Sequence, residues 1–388
     1  MHRFDVPEPL PDGSRLLHIG LPKTGTSALQ ASFHAARDAL AAAGVDYVSR
    51  GPNPLGAARY AAGAPLPMPA DAERAAQRWE RIARRFRTSS ARLAVLSSEA
   101  FSGAAPDRVA AIADALGADT TVVVTLRPTA ALLPSHWQQA VRRGATEPLG
   151  RWLAQVLDPE HPHARAMRTY APQAILATWG RHFAPGRLVF VCADPADRWF
   201  NHRTFEALLG VDGVLEPQPV ANSSPPYAEI EMLRHLNLAR RNRRDEHDHW
   251  PRVLRRVGRR MGDAPPPSVS GDRLLLSREV VERVNDATRT SIAALEASDA
   301  IVVGDPAHLL SDPDRHPVDL AAPTAISLET AGWFGSTVGE LAAAELDERS
   351  RERIRRLEAE VERLTALHRA GRRTPVRDML RRIAGRQS

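Results

Sequence analysis

The sequence predicts an α/β protein in which a parallel β-sheet is flanked by helices. Short apolar segments rich in β-branched residues alternate along the chain with longer segments of helical composition. Strands that alternate with helices favour a parallel sheet that is covered on both faces. The chain has 388 residues, of which 43% are hydrophobic, so it is long enough to bury a large core.

The elements follow from composition and from the positions of glycine and proline. The predicted strands cover 15–20, 45–48, 92–97, 120–126 and 187–193. The predicted helices cover 28–43, 70–87, 106–116, 128–143, 199–209, 227–244 and 277–297. Clusters of proline and glycine predict loops at 51–69, 217–226 and 263–272. Because ligands of parallel sheets bind at the carboxyl ends of the strands, the loops after the strands should hold the functional residues.

The charge distribution separates the C-terminal segment from the rest of the chain. Residues 349–388 carry 13 arginines against five acidic residues, so the basic excess belongs to this segment. We expect an N-terminal extension (1–14), an α/β domain (15–310), a linker (311–339) and an Arg-rich helical tail (340–388). Since the main body lacks a basic excess, no nucleic-acid partner is expected.

The tail also has a pattern typical of coiled coils. Ile354, Leu357, Val361 and Leu364 follow one another at 3-4-3 spacing among charged residues. This predicts a short amphipathic helix that is a candidate for joining copies of the chain into a homo-oligomer.

Cysteine content and apolar run length bear on the cellular compartment. Cys192 is the single cysteine, which excludes an internal disulfide and a multi-thiolate metal site. No apolar run approaches the ~20 residues of a membrane span. The N-terminus lacks the apolar core of a secretory signal. We therefore expect a cytoplasmic protein without a membrane span.

The loop at 20–27 has the composition of an anion site. It joins a strand to the N-terminus of a helix, where backbone N–H groups are unsatisfied and the helix dipole is positive. Gly20 and Gly25 allow close backbone approach, and the loop adds hydroxyl groups. Lys23 is the single lysine beside 51 arginines, which indicates a position where a compact ammonium is needed. The alternative is an ordinary turn before a capped helix.

The loop differs from the phosphate loop of nucleoside triphosphatases. That signature places Lys directly after its second glycine, whereas Thr26 follows Gly25 here. The strand 120–126 leads into Arg127, where a triphosphatase has an acidic Mg²⁺ ligand. A kinase on a variant phosphate loop remains an alternative, but no metal site is expected.

Two sequence blocks resemble a known family. The segment 21–27 (Leu-Pro-Lys-Thr-Gly-Thr-Ser) looks like the 5′-phosphosulfate loop of sulfotransferases that use 3′-phosphoadenosine 5′-phosphosulfate (PAPS). The second block has Arg127 directly after a strand and Ser135 eight residues later in a helix, the spacing of that family's 3′-phosphate site. The resemblance covers roughly residues 15–310 and extends to bacterial members. It implies a P-loop-like α/β fold, sulfuryl transfer and PAPS as cosubstrate.

The resemblance also implies roles for individual residues. Lys23 would stabilise the leaving phosphate, and Arg127 with Ser135 would bind the 3′-phosphate. The residues implied for the 5′-phosphosulfate are Pro22, Lys23, Thr24, Gly25, Thr26 and Ser27.

The acceptor must lose a proton, and Glu99 is the candidate base. It follows the strand 92–97, where one branch of the family, typified by glycan sulfotransferases, has a carboxylate. Its alternative role is that of a helix cap or a surface acid. His18 and His136 are weaker candidates. The acceptor is expected to be a hydroxyl or amine of a glycan, a lipid or a small metabolite. A non-catalytic relative that binds nucleotide or acts as a scaffold is the remaining alternative.

Overall fold

The computed structural model describes residues 2–4, 7–66, 68–164, 170–218, 225–241, 249–267 and 274–372. One seven-stranded sheet forms its centre, and all neighbouring strands are parallel. In chain order the strands are β1 (His2–Phe4), β2 (Arg15–His18), β3 (Val45–Tyr47), β4 (Leu93–Ser97), β5 (Thr121–Leu126), β6 (Leu188–Cys192) and β7 (Ile301–Val303). The order across the sheet is β1-β7-β6-β5-β2-β4-β3, which places β2 between β5 and β4.

Helices connect the strands and continue beyond the last one. They are α1 (Thr26–Ala35), α2 (Arg37–Ala42), α3 (Leu55–Ala61), α4 (Ala72–Thr88), α5 (Pro106–Leu116), α6 (Thr129–Arg142), α7 (Leu149–Leu157), α8 (Pro172–Trp179), α9 (Phe200–Leu209), α10 (Tyr227–Arg241), α11 (Trp250–Asp263), α12 (Arg278–Glu296) and α13 (Leu328–Arg372).

Neighbouring residues of the central strands contribute to different apolar layers. Leu17 and Val122 pack with α3, α4, α5 and α8. Leu16 and Val123 pack with α1, α2 and α9 on the other face. Successive strand residues point to opposite faces, so each central strand is buried on both sides. The predicted class, an α/β protein with a parallel sheet flanked by helices, is confirmed, as is a helix near the C-terminus.

Two strands were absent from the sequence-based prediction. β1 lies within the predicted N-terminal extension (1–14) and pairs with β7, almost three hundred residues away. β7 in turn pairs with β6, so both strands extend one edge of the sheet. Each has three residues. A run of three residues is too short to show a strand pattern in the sequence. Each of these segments forms a strand because it pairs with a neighbouring strand.

The helices near the N-terminus also differ from the prediction. The segment 28–43, predicted as one helix, is divided into α1 and α2 around Ala36. At the start of α2 the Arg37 guanidinium donates a hydrogen bond to the carbonyl of Tyr47 on β3, a tertiary contact that local sequence does not indicate. The predicted loop 51–69 contains α3, whose three alanines are buried against the sheet.

A second apolar core is made mainly of helices and lies outside the sheet. It joins residues from α6, α7, α10, α11 and α12, and Phe334 of α13 is buried within it. The helix α13 therefore begins inside the segment predicted as a linker (311–339), and part of that segment is core. From Leu328 onward the segment predicted as a linker is helical, and Phe334 in it is buried. Residues 373–388 of the predicted tail lie outside the described residues.

Charge pairs extend this attachment of α13 to α11. Glu345 is buried, and its two carboxylate oxygens lie 3.2 Å from Arg252 Nε and 3.4 Å from Arg256 Nη1. Arg349 of α13 lies 3.7 Å from the same carboxylate. A buried carboxylate is tolerated when it is paired in this way. Among the helices in the described ranges, none is both long and apolar enough to cross a membrane.

We predict that Phe334→Ala lowers the free energy of unfolding by about 3–5 kcal/mol, because it leaves a cavity in the helical core. Phe334 is 1% exposed, whereas Leu328 on the same helix is 88% exposed. Leu328→Ala is the control and should change stability by less than about 0.5 kcal/mol. Urea unfolding followed by circular dichroism measures both. Equal, small effects would mean that α13 is not attached through Phe334.

Candidate functional site

The site lies at the carboxyl edge of the three central strands. β4 and β5 flank β2, with His18 of β2 opposite Ser97 of β4 and Val123 of β5. The loops that leave these strands therefore start side by side. Lys23, Glu99 and Arg127, which belong to three separate sequence segments, all lie on these loops.

The loop between β2 and α1 packs tightly against the strands beneath it. A Cβ on Gly20 would lie 2.5 Å from His18 Nε2, 2.5 Å from Thr26 Oγ1 and 2.6 Å from Thr125 Oγ1. These distances are shorter than any van der Waals contact, so only glycine fits at this position. The loop is held directly on the ends of β2 and β5.

A buried hydrogen-bond network fixes the loop to the strands. His18 Nδ1 lies 2.8 Å from Ser97 Oγ, and its Nε2 lies 3.3 Å from Thr125 Oγ1. Thr125 Oγ1 lies 2.8 Å from Thr24 Oγ1, and the Thr24 hydroxyl donates to the carbonyl of Leu21 at 2.7 Å. Burial lowers the pKa of His18 to about 3, so the ring is neutral. The network therefore links three strand ends to the loop without a charge.

This network decides which loop groups face outward. The side chains of Thr24 and Thr26 are buried, and their hydroxyls lie within 3.4 Å of each other inside the network. Lys23, Gly25 and Ser27 are exposed. The predicted hydroxyl donors at positions 24 and 26 are thus structural groups. The outward side of the loop presents the backbone of Gly25, the Ser27 hydroxyl and the Lys23 ammonium.

Lys23 has an unusual backbone conformation. Its φ is 71°, and it is the one non-glycine residue with positive φ among the residues that the structure describes. The left-handed region disfavours a residue with a Cβ, so the surrounding loop maintains this conformation at a cost. Gly25, two residues later, has φ 90°. Such local backbone strain is typical of functional loops.

The region around Lys23 is strongly positive. Partial desolvation lowers the pKa of the Lys23 ammonium, and the charges of Arg142 and Arg143 lower it further. Burial also lowers the pKa of His136 to about 4, with further contributions from Lys23 and Arg143. Cations that depress one another's pKa produce a local potential that attracts an anion.

Arg127 brings the second predicted phosphate site next to the first. Its Nη1 donates a hydrogen bond to the backbone carbonyl of Lys23 at 3.1 Å. Ser135 lies two turns into α6, the helix that follows Arg127, and is half-buried. The two sequence blocks therefore contribute to one region of the protein surface.

Glu99 lies on the other side of β2, directly after β4. Its Oε2 accepts hydrogen bonds from Asn53 Nδ2 at 2.9 Å and from Gln30 Nε2 at 3.3 Å. Glu99 is the first residue of a short 3₁₀ helix (Glu99–Gly103), and the cap of that helix is Ser98, whose hydroxyl accepts from the backbone N–H of Ala100. Glu99 is half-buried, and both hydrogen bonds use the same carboxylate oxygen. The carboxylate is thus held in a defined position beside the loop.

Three amide side chains at the site were missed by the sequence prediction. Gln30 and Asn53 bind Glu99, and Asn201 Nδ2 donates to the carbonyl of Thr24 at 3.1 Å. Asn201 Oδ1 is buried and has no hydrogen-bond partner among the described residues. Their segments carry no motif, so only the folded structure identifies them.

We predict that Gly20→Ala lowers the free energy of unfolding by about 1–3 kcal/mol, because the methyl group overlaps three network atoms. Gly56→Ala is the matched control, since its Cβ would enter open space on α3. That substitution should stabilise the helix by about 0.5–1 kcal/mol. Chemical unfolding of both variants checks the result. A neutral effect at position 20 would contradict the tight packing.

No family model matches this chain, and a search of curated proteins finds no match. A function is therefore inferred from the arrangement of the loops at the carboxyl edge of β2, β4 and β5.

Proposed function

We propose that this protein is a PAPS-dependent sulfotransferase with a P-loop-like α/β fold. The observation that carries the proposal is the hydrogen bond between Arg127 Nη1 and the carbonyl of Lys23. It joins two sequence blocks that resemble the two phosphate-binding segments of that family. A nucleotide with phosphates at both ends of its ribose requires two such segments within reach of each other.

The residues present fit an anionic nucleotide. The loop after β2 leads into the N-terminus of α1, where backbone N–H groups and the helix dipole favour a phosphate. Lys23 and Ser27 add an ammonium and a hydroxyl on the exposed side. Arg127 offers a planar fork for a second phosphate, and Ser135 adds a hydroxyl on α6. The positive potential near Lys23 favours each of these contacts.

Each of the predicted loop residues has a role under this proposal. Pro22, Lys23, Gly25 and Ser27 would surround the 5′-phosphosulfate, while Thr24 and Thr26 would hold the loop from beneath. PAPS would supply the sulfuryl group, and an acceptor hydroxyl or amine would receive it. The Lys23 ammonium would lie near the phosphate on which negative charge develops. Preorganised charge of this kind accounts for much of enzymatic rate enhancement.

Glu99 is the candidate base for the acceptor proton. Two amides orient its carboxylate, as a positioned base requires. His136, whose lowered pKa keeps it neutral, lies on the opposite side of β2 on α6. Glu99 and His136 are therefore two separate candidates for the base, and substitution of each tests it independently.

The kinase alternative has weaker support from the strand ends. β5 ends with Thr125 and Leu126 and is followed by Arg127, so it offers no carboxylate for Mg²⁺ where a triphosphatase would have one. In the described part of the chain, no three His, Cys, Asp or Glu side chains are grouped as metal ligands.

We predict that adenosine 3′,5′-bisphosphate binds the protein and raises its melting temperature, while ATP with Mg²⁺ does not. Arg127→Ala should weaken this binding by about 10- to 100-fold, because it removes charge-assisted hydrogen bonds.

Glu99→Gln should leave binding unchanged and lower turnover. Lys23→Met should lower turnover by about 100-fold or more. Calorimetry and transfer of labelled sulfate from PAPS measure these effects.

Arg74→Ala provides the control for loss of one arginine, since Arg74 is exposed at the start of α4. It should bind the bisphosphate as the wild type does. Stabilisation by ATP with Mg²⁺ and indifference to the bisphosphate would contradict the proposal and favour a kinase. Binding without any transfer would favour a non-catalytic relative, and unchanged turnover in Glu99→Gln would remove Glu99 as the base.

A further inference from the structure

A partly open, mostly apolar cavity lies beside the phosphate loop. Its volume is about 230 Å³, and Pro22 and Arg127 form part of its wall. The rest of the wall is mostly apolar, and α6, α7 and α12 contribute to it with side chains such as Leu133 and Val284. The cavity therefore shares two residues with the proposed nucleotide site.

The polar groups in the wall carry little charge. His136 lies with its ring against Tyr170, at a centroid distance of 6.4 Å. Burial and the nearby cations lower the pKa of His136 to about 4, so the ring is uncharged near neutral pH. Arg127 is the one permanently charged residue among those that the described structure places in this wall. Most of the exposed wall is apolar, so an occupant with many polar groups would lose more hydration than it regains in hydrogen bonds.

We propose that this cavity binds the acceptor, and that the acceptor is an alcohol or amine with a small apolar body rather than a carbohydrate. This inference rests on the proposed sulfotransferase function. An apolar body gains free energy from burial against such a wall. The cavity is smaller than most ligand pockets, which favours a compact aromatic or aliphatic group over a saccharide chain. Glu99 does not line the cavity, so the reacting group would have to project past Pro22 toward the phosphate loop to reach it.

Ala287 provides a way to fill the cavity without disturbing the core. It lines the cavity but is itself exposed on α12. Ala287→Trp should therefore fold and reduce the space for an occupant. Ala293 is exposed on the same helix and does not line the cavity, so Ala293→Trp is the matched control.

We predict that 2-naphthol binds the wild type, measured by its fluorescence, and accepts labelled sulfate from PAPS, while cellobiose does neither. Ala287→Trp should weaken 2-naphthol binding and raise its KM by about tenfold or more, since the ring displaces the occupant. Its affinity for adenosine 3′,5′-bisphosphate should equal that of the wild type. Ala293→Trp should behave as the wild type in all three measurements.

Two outcomes would overturn the acceptor assignment. Transfer to cellobiose but not to 2-naphthol would refute the apolar acceptor. Loss of bisphosphate affinity in Ala287→Trp would place the nucleotide in the cavity instead. Failure of the proposed function has a different signature, because the wild type would then not bind the bisphosphate. The fluorescence measurement tests the cavity in that case as well, and absence of 2-naphthol binding would refute it.

A separate observation concerns the distal part of α13. All residues from 350 to 368 are exposed, apolar and polar alike. Ile354, Leu357, Val361 and Leu364 form one stripe along this part of the helix, and each is more than half exposed. A projecting helix with an uncovered apolar stripe is marginal on its own and is stabilised by a partner.

We infer that the partner is a second copy of the chain, in a parallel two-stranded coiled coil. In heptad terms the β-branched residues Ile354 and Val361 occupy a positions, and Leu357 and Leu364 occupy d positions. This combination favours parallel dimers. Charge is complementary as well, since Arg353 at g would face Glu358 at e of the other copy. The next pair of this kind, Glu360 with Thr365, brings no like charges together.

We predict that the full chain is a dimer by light scattering after gel filtration and that Leu357→Asp with Leu364→Asp makes it a monomer. Burial of charge at two d positions removes the apolar contact. Ala359→Asp with Ala366→Asp is the control, because both alanines lie at f positions, away from the stripe. This control should remain a dimer.

Charge reversal tests the parallel register. Arg353→Glu should weaken the dimer, and the addition of Glu358→Arg should restore it, because the pair reforms only in a parallel arrangement. A monomeric wild type would overturn the inference. A monomer that binds vesicles of anionic phospholipid would assign the stripe to a membrane surface instead, and it would overturn the inference as well.

Discussion

The rest of the site depends on the two hydrogen bonds that the neutral His18 ring makes. The ring lies at the end of β2 and binds Ser97 on one neighbouring strand and Thr125 on the other. One ring nitrogen donates and the other accepts, which a neutral imidazole can do with two hydroxyls. Burial lowers the pKa of His18 to about 3. The folded state therefore binds fewer protons than the unfolded chain between about pH 3 and 6.5, so this residue destabilises the fold as the pH falls through that window and not above it.

The orientation of the loop after β2 follows from this network. Because Thr125 binds the Thr24 hydroxyl and Gly20 allows the loop to lie within contact of the strands, the threonines point inward. Lys23 is then left in a left-handed conformation on the outer side. The loop thus presents an ammonium and backbone N–H groups in place of the threonine hydroxyls. An anion would be bound by groups whose positions are set from beneath by uncharged contacts.

The parts of this arrangement that were predictable are those encoded in continuous segments. β2, its loop and α1 appear as an apolar run, a glycine-containing loop and an alanine-rich segment, and Arg127 follows a run of β-branched residues. Gln30 and Asn53 could not be predicted as partners of Glu99, because their side chains meet it only after three elements pack together. The inward direction of Thr24 could not be predicted either, since it depends on a strand one hundred residues away. The same holds for β1, which becomes a strand by pairing with β7.

The helix α6 contributes side chains both to the site and to the helical core. Its first turns follow Arg127 and carry Ser135, while Leu133 and Trp137 lie in the helical core. At its far end the Arg142 guanidinium donates to the carbonyl of Gly258 on α11. A Cβ on Gly258 would lie 2.5 Å from the Arg142 carbonyl oxygen, so the two helices touch backbone to backbone. Because densely packed interiors transmit displacement, the position of α11 sets that of Arg142, whose charge depresses the pKa of Lys23. The contact between α6 and α11 therefore helps to fix the position of positive charge near the loop after β2, although α11 contributes no residue to that loop.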